Sequence, residues 1–308
     1  MVSQKNEAKI VGAALVVGGG IAGMQAALDL AETDIQVYLL EKSPWIGGRM
    51  AQLDKTFPTN DCAMCIMSPR LVECSRHHNI QIISNADLVK LSGEAGNFTA
   101  SIRKRARYVD ETKCTGCGIC TQKCPWRTDS EFDGGLRKRK AIYTPFAQAV
   151  PNVPFIDTQL CMYFRRGTCK ACEIFCGPKA IDFGQQDQHF DLEVGAVILA
   201  PGGDTYDAGL SEEFGFGRYP NVVTSLQFER LLSAAGPTQG HIQRTSDAAE
   251  PKRIAWLQCI GSRDQEHPYC SAVCCMYATK EAIIAREHLP PDTDLSIFLM
   301  DLRAFGKG

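Results

Sequence analysis

The chain has 308 residues, 44% hydrophobic and 22% charged, with a formal net charge of −2; this is a folding composition with room for about two domains, and it excludes a disordered chain. The near-neutral charge carries no footprint for nucleic acid or an anionic membrane, and no stretch reaches the ~18 uninterrupted apolar residues of a transmembrane segment. Lys5, Glu7 and Lys9 interrupt any signal-peptide start, so the expected location is cytoplasmic, where fifteen cysteines in tight groups point to metal rather than to disulfides.

In chain order, "AALVVGGG" (13–20) reads as a strand running into glycines, "IAGMQAALDLAE" as a helix and "IQVYLLEK" (35–42) as a second buried strand. That is a βαβ unit of an α/β protein. Gly18-x-Gly20-x-x-Gly23 joins strand to helix. In that context the first glycine permits a tight turn, the second lets a pyrophosphate approach the backbone, and the third lets helix and strand pack closely. The phosphates meet free N–H groups at the helix start. Glu41 ends the second strand, placed to accept hydrogen bonds from a ribose hydroxyl. The run "EKSPWIGGRM" continues with Lys42, Gly48 and Arg49, a pattern of FAD-binding two-domain flavoproteins. FAD is therefore expected over NAD, held by Gly18, Gly20, Gly23, Glu41, Lys42, Gly48 and Arg49.

"NDCAMC" follows with Cys62 and Cys65. A redox dithiol beside the flavin, half of a metal site completed from outside the chain, and buried small side chains all remain open for this pair. Cys74 and the His77–His78 pair form no pattern and are expected to be structural. "IQII" (80–83) predicts a further strand, and "DLVKLSG" with "NFTASIRKRARYV" (97–109) predicts a hairpin around "GEAGN".

"CTGCGICTQKCP" (114–125) is C-x2-C-x2-C-x3-C-P, a specific signature for [4Fe–4S] binding in which the fourth thiol reaches the other cluster of a two-cluster ferredoxin fold. Zinc is the main alternative for four thiolates. In "CMYFRRGTCKACEIFCGP" (161–178) the thiols Cys169, Cys172 and Cys176 are spaced as in such a motif, but Arg166 stands where the leading cysteine belongs. Cys161 lies eight positions before Cys169, and a longer loop adds little closure entropy. The swapped arrangement then gives Cys114, Cys117, Cys120 and Cys176 to one cluster and Cys124, Cys161, Cys169 and Cys172 to the other. Between them, "RKRK" (137–140) is either a solvated loop or a docking patch for an acidic redox partner.

"FDLEVGAVILAPGG" (190–203) predicts a strand ending in a sharp turn where such flavoproteins carry Ala-Thr-Gly; Pro201 takes the threonine's place. "SLQFERLLSAAG" (225–236) predicts a helix closed by Gly236. A second βαβ follows: "RIAWLQCIGSR", "CCMYATKEAIIAREHL" and "LSIFLMDLR". Its turn, "CIGSRD", has a single glycine, Gly261, which gives a pyrophosphate poor access. Cys259, Cys270, Cys274 and Cys275 match no common motif; Cys270 and Cys274 are expected to share a helical face, with Cys259 ending the strand. A third cluster, buried structural cysteines and redox thiols all remain open there. A doubly wound domain needs more strands than this end supplies, so the chain is expected to be a fragment or a subunit completed by a partner. No Ser-His-Asp or paired-carboxylate constellation stands out.

Together, "VVGGGIAGMQAALDLA", "EKSPWIGGRMAQLDKTFPTNDCAMC", "CTGCGICTQKCP", "NVVTSLQFERLLSAAGPTQGHI", "CSAVCCMYATKEA" and "MDLRAFGKG" resemble the heterodisulfide reductase A-subunit family, across essentially the whole chain. The resemblance implies a thioredoxin-reductase-like two-domain flavoprotein with an inserted two-cluster ferredoxin-like domain. Residues 1–110 would be the first part of the FAD domain, 111–184 the insertion, 185–250 the return to the FAD domain and a linker, and 251–308 an incomplete second nucleotide-type domain. It also implies a third [4Fe–4S] cluster at Cys259, Cys270, Cys274 and Cys275. In the family, FAD splits electron pairs or passes them singly among clusters. Its partners are other subunits that reduce a disulfide, and ferredoxin or a hydrogenase or dehydrogenase donor. Rival readings are an NAD(P)H-dependent ferredoxin oxidoreductase resembling the small subunit of glutamate synthase, and a non-catalytic electron wire.

Overall fold

The computed structural model describes residues 10–304; Lys5, Glu7, Lys9 and the last four residues of "MDLRAFGKG" lie outside them. The chain divides into two compact units. One runs to Ala51 and resumes over Met67–Thr128 and Lys138–Gly202; the other comprises Gln52–Ile66, Asp129–Arg137 and the chain from Gly203 onward. The division at Gly202 falls inside 185–250, the segment read as a return to the FAD domain and a linker.

In the first unit, β1 (Ala13–Val17) leads through the glycine turn to α1 (Ile21–Ala31) and β2 (Gln36–Glu41). Helix α2 (Ala63–Arg76) precedes β3 (Ile80–Ser84), and β4 (Ala86–Glu94) and β5 (Asn97–Lys104) form the expected hairpin. The stretch read as one strand over 190–203 is two: β6 (Gln188–Val194) and β7 (Ala196–Leu199). Gly195 separates them because the chain passes so close to the backbone that a Cβ there would stand 2.3 Å from the Val11 carbonyl oxygen. That glycine lets the chain leave one sheet for another.

The parallel sheet has the order β7-β1-β2-β3, and the antiparallel sheet β6-β5-β4. Leu15, Leu40 and Ile83 of the first pack with Ala100, Ile102 and Val194 of the second in one buried cluster. Helix α1 buries Gly23, Met24, Ala27, Leu28 and Ala31, the spacing of a single helical face, and packs on β1 and β2. A sheet with both faces covered explains why β1 and β2 read as near-continuous apolar runs.

An excursion leaves these two sheets after β5 and returns before β6. Its stem is closed by an antiparallel bridge between Val109 and Ile181, with Asp110 N–H donating to Ala180 O at 2.7 Å and Asp182 N–H to Tyr108 O at 3.1 Å. It contains α3 (Ile119–Lys123), α4 (Met162–Arg166) and α5 (Ala171–Ile174). Its core mixes Val109, Ile142, Val153, Ile156 and Ile181 with Cys120, Cys124, Cys161 and Cys172.

In the second unit, α6 (Ser225–Leu232) starts on a reciprocal capping box between Thr224 and Gln227. It ends four residues before Gly236, which closes a further turn so tight that a Cβ would meet the Arg230 carbonyl oxygen at 1.8 Å. The second βαβ is present: β8 (Arg253–Leu257) and β9 (Asp294–Phe298) are parallel neighbours joined through α7 (Cys274–His288). Among the described residues no helix is long and apolar enough to cross a membrane.

Candidate flavin and iron–sulfur sites

The three motif glycines differ in what surrounds them. Gly18 has φ +110°, and a Cβ would stand 2.0 Å from the Ala200 carbonyl oxygen; at Gly23 it would meet the Gly18 carbonyl oxygen at 1.8 Å. Both are required by backbone approach. At Gly20 a Cβ would find nothing within 4 Å, so this face of the turn is open, as ligand approach at the start of α1 demands. The Glu41 carboxylate is pinned beside the turn: Oε2 accepts the Gly19 N–H at 2.6 Å, and Oε1 accepts the Ser43 N–H at 2.7 Å and the Ser43 hydroxyl at 2.6 Å.

The Gly47–Arg49 segment folds back onto that turn. Gly47 N–H donates to Gly19 O at 2.7 Å, and a Cβ on Gly48 (φ +57°) would lie 2.9 Å from the Gly20 Cα. Arg49 is exposed in a short 3-10 helix, and Lys42 is exposed with its carbonyl accepting from the Arg105 guanidinium. Ala200 N–H donates to Val17 O at 2.8 Å, fixing the Ala-Pro-Gly turn against the end of β1. The cradle fits a dinucleotide on the strength of its one open glycine.

The thiols of the excursion lie near one another. Cys114, Cys117, Cys120 and Cys176 line one small cavity, walled by Val109, Pro154, Pro178 and Ile181. Cys161 feels Cys124 and Cys169 electrostatically, and Cys172 feels Cys161, Cys120 and Cys124. Cys172 therefore sits beside Cys120, a thiol that the swapped spacing gives to the other set. Burial pushes the Cys172 thiol up to about 12 and Cys120 up to about 11, and raises Cys114 and Cys161 as well. Such thiols hold their protons until a metal displaces them. Backbone amides already point at sulfur: Gly116 N–H lies 3.4 Å from Cys114 Sγ and Ala180 N–H 3.2 Å from Cys176 Sγ.

The long Cys161–Cys169 connection is a built element. Its extra residues form α4, closed by Gly167 at φ +67°. The Phe164 ring lies 4.4 Å from Tyr108 and the Tyr163 ring stacks 4.0 Å from Phe183, so the connection is anchored by aromatic packing.

Sequence reasoning missed Arg107. It is 3% exposed, and its guanidinium donates to Glu111 at 3.0 Å, Val153 O at 3.0 Å, Ser84 Oγ at 2.9 Å and Pro44 O. Desolvation lowers its pKa, opposed by Glu111 and by Cys114. One side chain thus ties the flavin segment, the end of β3 and the excursion beside a motif thiol. Trp45 adds a second tie: its indole N–H donates to Val153 O at 3.0 Å, and its ring meets Tyr143 at 5.3 Å.

The basic run 137–140 is engaged rather than free. Arg137 pairs with Asp133 at 2.7 Å, Arg139 with Asp157 at 2.8 Å, and Lys140 donates to the Cys124 carbonyl. Arg137 and Lys138 are exposed while Arg139 and Lys140 are half-buried in a short strand over Lys138–Lys140, so the run is partly solvated and only in part a loop. Cys74 is buried, as a structural thiol should be, and donates to Met24 O at 3.6 Å. His77 and His78 stack on each other, with ring centroids 5.0 Å apart.

In the second unit two expectations need correction. Cys270 precedes α7, which begins at Cys274, so the two do not share a helical face; Cys259 lies two residues beyond β8 at φ +64°. Around them, Ala272 N–H points at Cys270 Sγ (3.3 Å), the Ser271 hydroxyl at Cys274 Sγ (3.5 Å) and Arg303 N–H at Cys275 Sγ (3.4 Å). At the turn between β8 and α7, a Cβ on Gly261 would strike the Tyr206 ring at 2.3 Å. An aromatic ring covers the backbone that a second pyrophosphate would need. Cys62 and Cys65, one of the open cases, are exposed and joined as a disulfide, which removes the reading of buried small side chains. Among the described residues no group of three or more His, Cys, Asp or Glu side chains is gathered for a single metal ion.

A flavin-type glycine cradle joined to a cysteine-lined excursion defines an FAD-dependent oxidoreductase with an iron–sulfur domain. The FAD dependent oxidoreductase family matches residues 14–68, and the 4Fe-4S binding domain family matches residues 107–128. The chain belongs to the heterodisulfide reductase A-subunit family. It is 54% identical over 297 residues to the CoB–CoM heterodisulfide reductase iron-sulfur A-subunit 2 of Methanopyrus kandleri, which covers 96% of this chain and 44% of that protein. The corresponding iron-sulfur A-subunit of Methanocaldococcus jannaschii is 50% identical over 296 residues, again covering 96% of this chain and 44% of that protein. The A-subunit of the H2:CoB-CoM heterodisulfide,ferredoxin reductase of Methanothermobacter marburgensis is 46% identical over 297 residues, with the same two shares. The chain spans somewhat under half the length of these relatives. Among solved structures, thioredoxin reductase of Lactococcus lactis aligns over 67% of this chain and 82% of its own at 11% identity, with a TM-score of 0.26.

Proposed function

We propose that the chain is the flavin and iron–sulfur electron-transfer part of a cytoplasmic heterodisulfide-reductase-type complex. It would exchange electrons with partner subunits and with ferredoxin or a hydrogenase or dehydrogenase donor. The excursion would be a ferredoxin-like insertion holding two [4Fe–4S] clusters, one on Cys114, Cys117, Cys120 and Cys176, the other on Cys124, Cys161, Cys169 and Cys172. A third cluster would sit on Cys259, Cys270, Cys274 and Cys275. The observation that supports the reading is the cavity lined by Cys114, Cys117, Cys120 and Cys176, in an excursion that Arg107 ties to the flavin segment.

When bound, FAD supplies two-electron and each cluster one-electron chemistry. The chain's residues supply the rest. Gly20 leaves room for the dinucleotide, apolar side chains keep water from the thiols, and amide N–H groups at sulfur stabilise negative charge. Tyr206 over Gly261 argues against the reading as an NAD(P)H-dependent ferredoxin oxidoreductase.

Anaerobic iron, sulfide and flavin quantification on the full-length complex tests this. About eight irons per chain segment means two clusters and about twelve means three. Zinc in place of iron, or colourless material, overturns the proposal, and rapid flavin bleaching by NADPH would favour the rival.

A further inference from the structure

Cys62 and Cys65 stand apart from every other cysteine described. They are joined as a disulfide with Cα atoms 5.2 Å apart, while the remaining thirteen are free thiols. Both are exposed. Cys62 ends a two-residue strand paired with Lys55–Thr56, and Cys65 lies in the first turn of α2. The Cys65 N–H points at Cys62 Sγ, 3.2 Å away, so negative charge on that sulfur already has a donor.

A structural role is poorly served by this bond. Disulfide stabilisation grows with the length of the loop closed, and only two residues separate this pair. The start of α2 is held without it, since Ala63 is fully buried and its N–H donates to Asp54 O at 3.0 Å.

We infer that Cys62 and Cys65 are a redox-active pair that undergoes thiol–disulfide exchange with a dithiol at the protein surface. A thiolate of the incoming dithiol bonds to the Cys65 sulfur, the Cys62–Cys65 bond breaks, and Cys62 leaves as a thiolate facing the Cys65 N–H. The second thiolate of the reductant then attacks its own mixed disulfide and releases Cys65. The reductant is oxidised to a disulfide, two electrons enter the pair, and the two protons of the reductant end on Cys62 and Cys65. This inference is independent of how many clusters the chain holds.

The test equilibrates the full chain in its complex, without oxygen, in dithiothreitol buffers of graded oxidised-to-reduced ratio. Free thiols are alkylated, and the peptide carrying Cys62 and Cys65 is read by mass spectrometry. The expected result is joint labelling of both sulfurs at one midpoint with a two-electron slope, with buried Cys74 unlabelled. Cys62→Ser and Cys65→Ser should each abolish that transition and leave iron and flavin per chain unchanged. A pair that stays oxidised at every ratio is structural, one that stays reduced even in oxidised glutathione is a plain dithiol, and iron lost from either variant marks metal ligands; each overturns the inference. Titration of the unsubstituted chain decides the matter where a variant fails to fold.

Discussion

The eight cysteines from Cys114 to Cys176 and the four from Cys259 to Cys275 are alike in type and unlike in setting. In the excursion, Cys120, Cys124, Cys161 and Cys172 are buried in the hydrophobic core itself. In the second unit only Cys275 is buried; Cys259, Cys270 and Cys274 are half-buried on a loop and a helix start. The difference teaches that in the excursion half of the proposed ligands are core residues, so any metal they hold and the fold would depend on each other. In the second unit the core is assembled from Phe228, Leu231, Leu232, Trp256 and Ile284 without any thiol.

The largest effect should come from Cys172→Ser. It should remove about four irons per chain and lower the thermal unfolding midpoint sharply, because a cluster ligand and a core residue are lost together. Iron analysis and a melting curve on anaerobic protein check it; unchanged iron would break the contrast at its stronger end. Cys274→Ser should also cost about four irons, with a small change in melting, because that thiol lies outside the core. If iron is retained, the second group consists of ordinary thiols and the contrast becomes one of kind.

Arg107→Met probes how the excursion is held to the flavin segment. It leaves Glu111, Ser84 Oγ and two carbonyls without their buried donor, a loss on the order of 3 kcal/mol. Faster flavin release with all irons retained is the expected pattern, read by fluorescence of released flavin and iron analysis. Loss of iron with flavin retained would mean that Arg107 serves the thiols alone.

What could be read from sequence follows the same line. The glycine turn and the C-x2-C-x2-C-x3-C-P loop are local, and each residue's role is set by neighbours within a few positions. Cys161 could be grouped with its neighbours in space because thiol chemistry allows few substitutes. Arg107 was invisible because its partners Val153 and Pro44 lie 46 and 63 positions away. Cys270 was misplaced because the N-cap of α7 is Val273, which has no capping side chain to announce the helix start at Cys274. The break at Gly195 was hidden inside an apolar run, since alternation alone does not say which sheet a strand joins.

The smallest effect concerns what the second core holds instead of thiols. Glu281 and Glu229 are fully buried, Lys280 nearly so, with Lys280 bonded to Glu229. Desolvation, then the charge of Glu229, raises the Glu281 pKa well above 4.5. The folded state therefore holds that proton more tightly than the unfolded chain. Its contribution to stability is complete below the unfolded value and is lost as pH rises through the raised folded value. Glu281→Gln cannot ionise and can still accept the Trp256 indole N–H that Glu281 takes at 2.8 Å. Parent and variant should melt alike at acidic pH and diverge upward from about pH 5, with the variant ahead by about 1–3 kcal/mol near neutrality. Parallel melting curves across that range would show that burial costs this carboxyl nothing. A variant less stable at neutral pH would show that Glu281 is held as an anion, and the second core would then be built on charge as the first is built on sulfur.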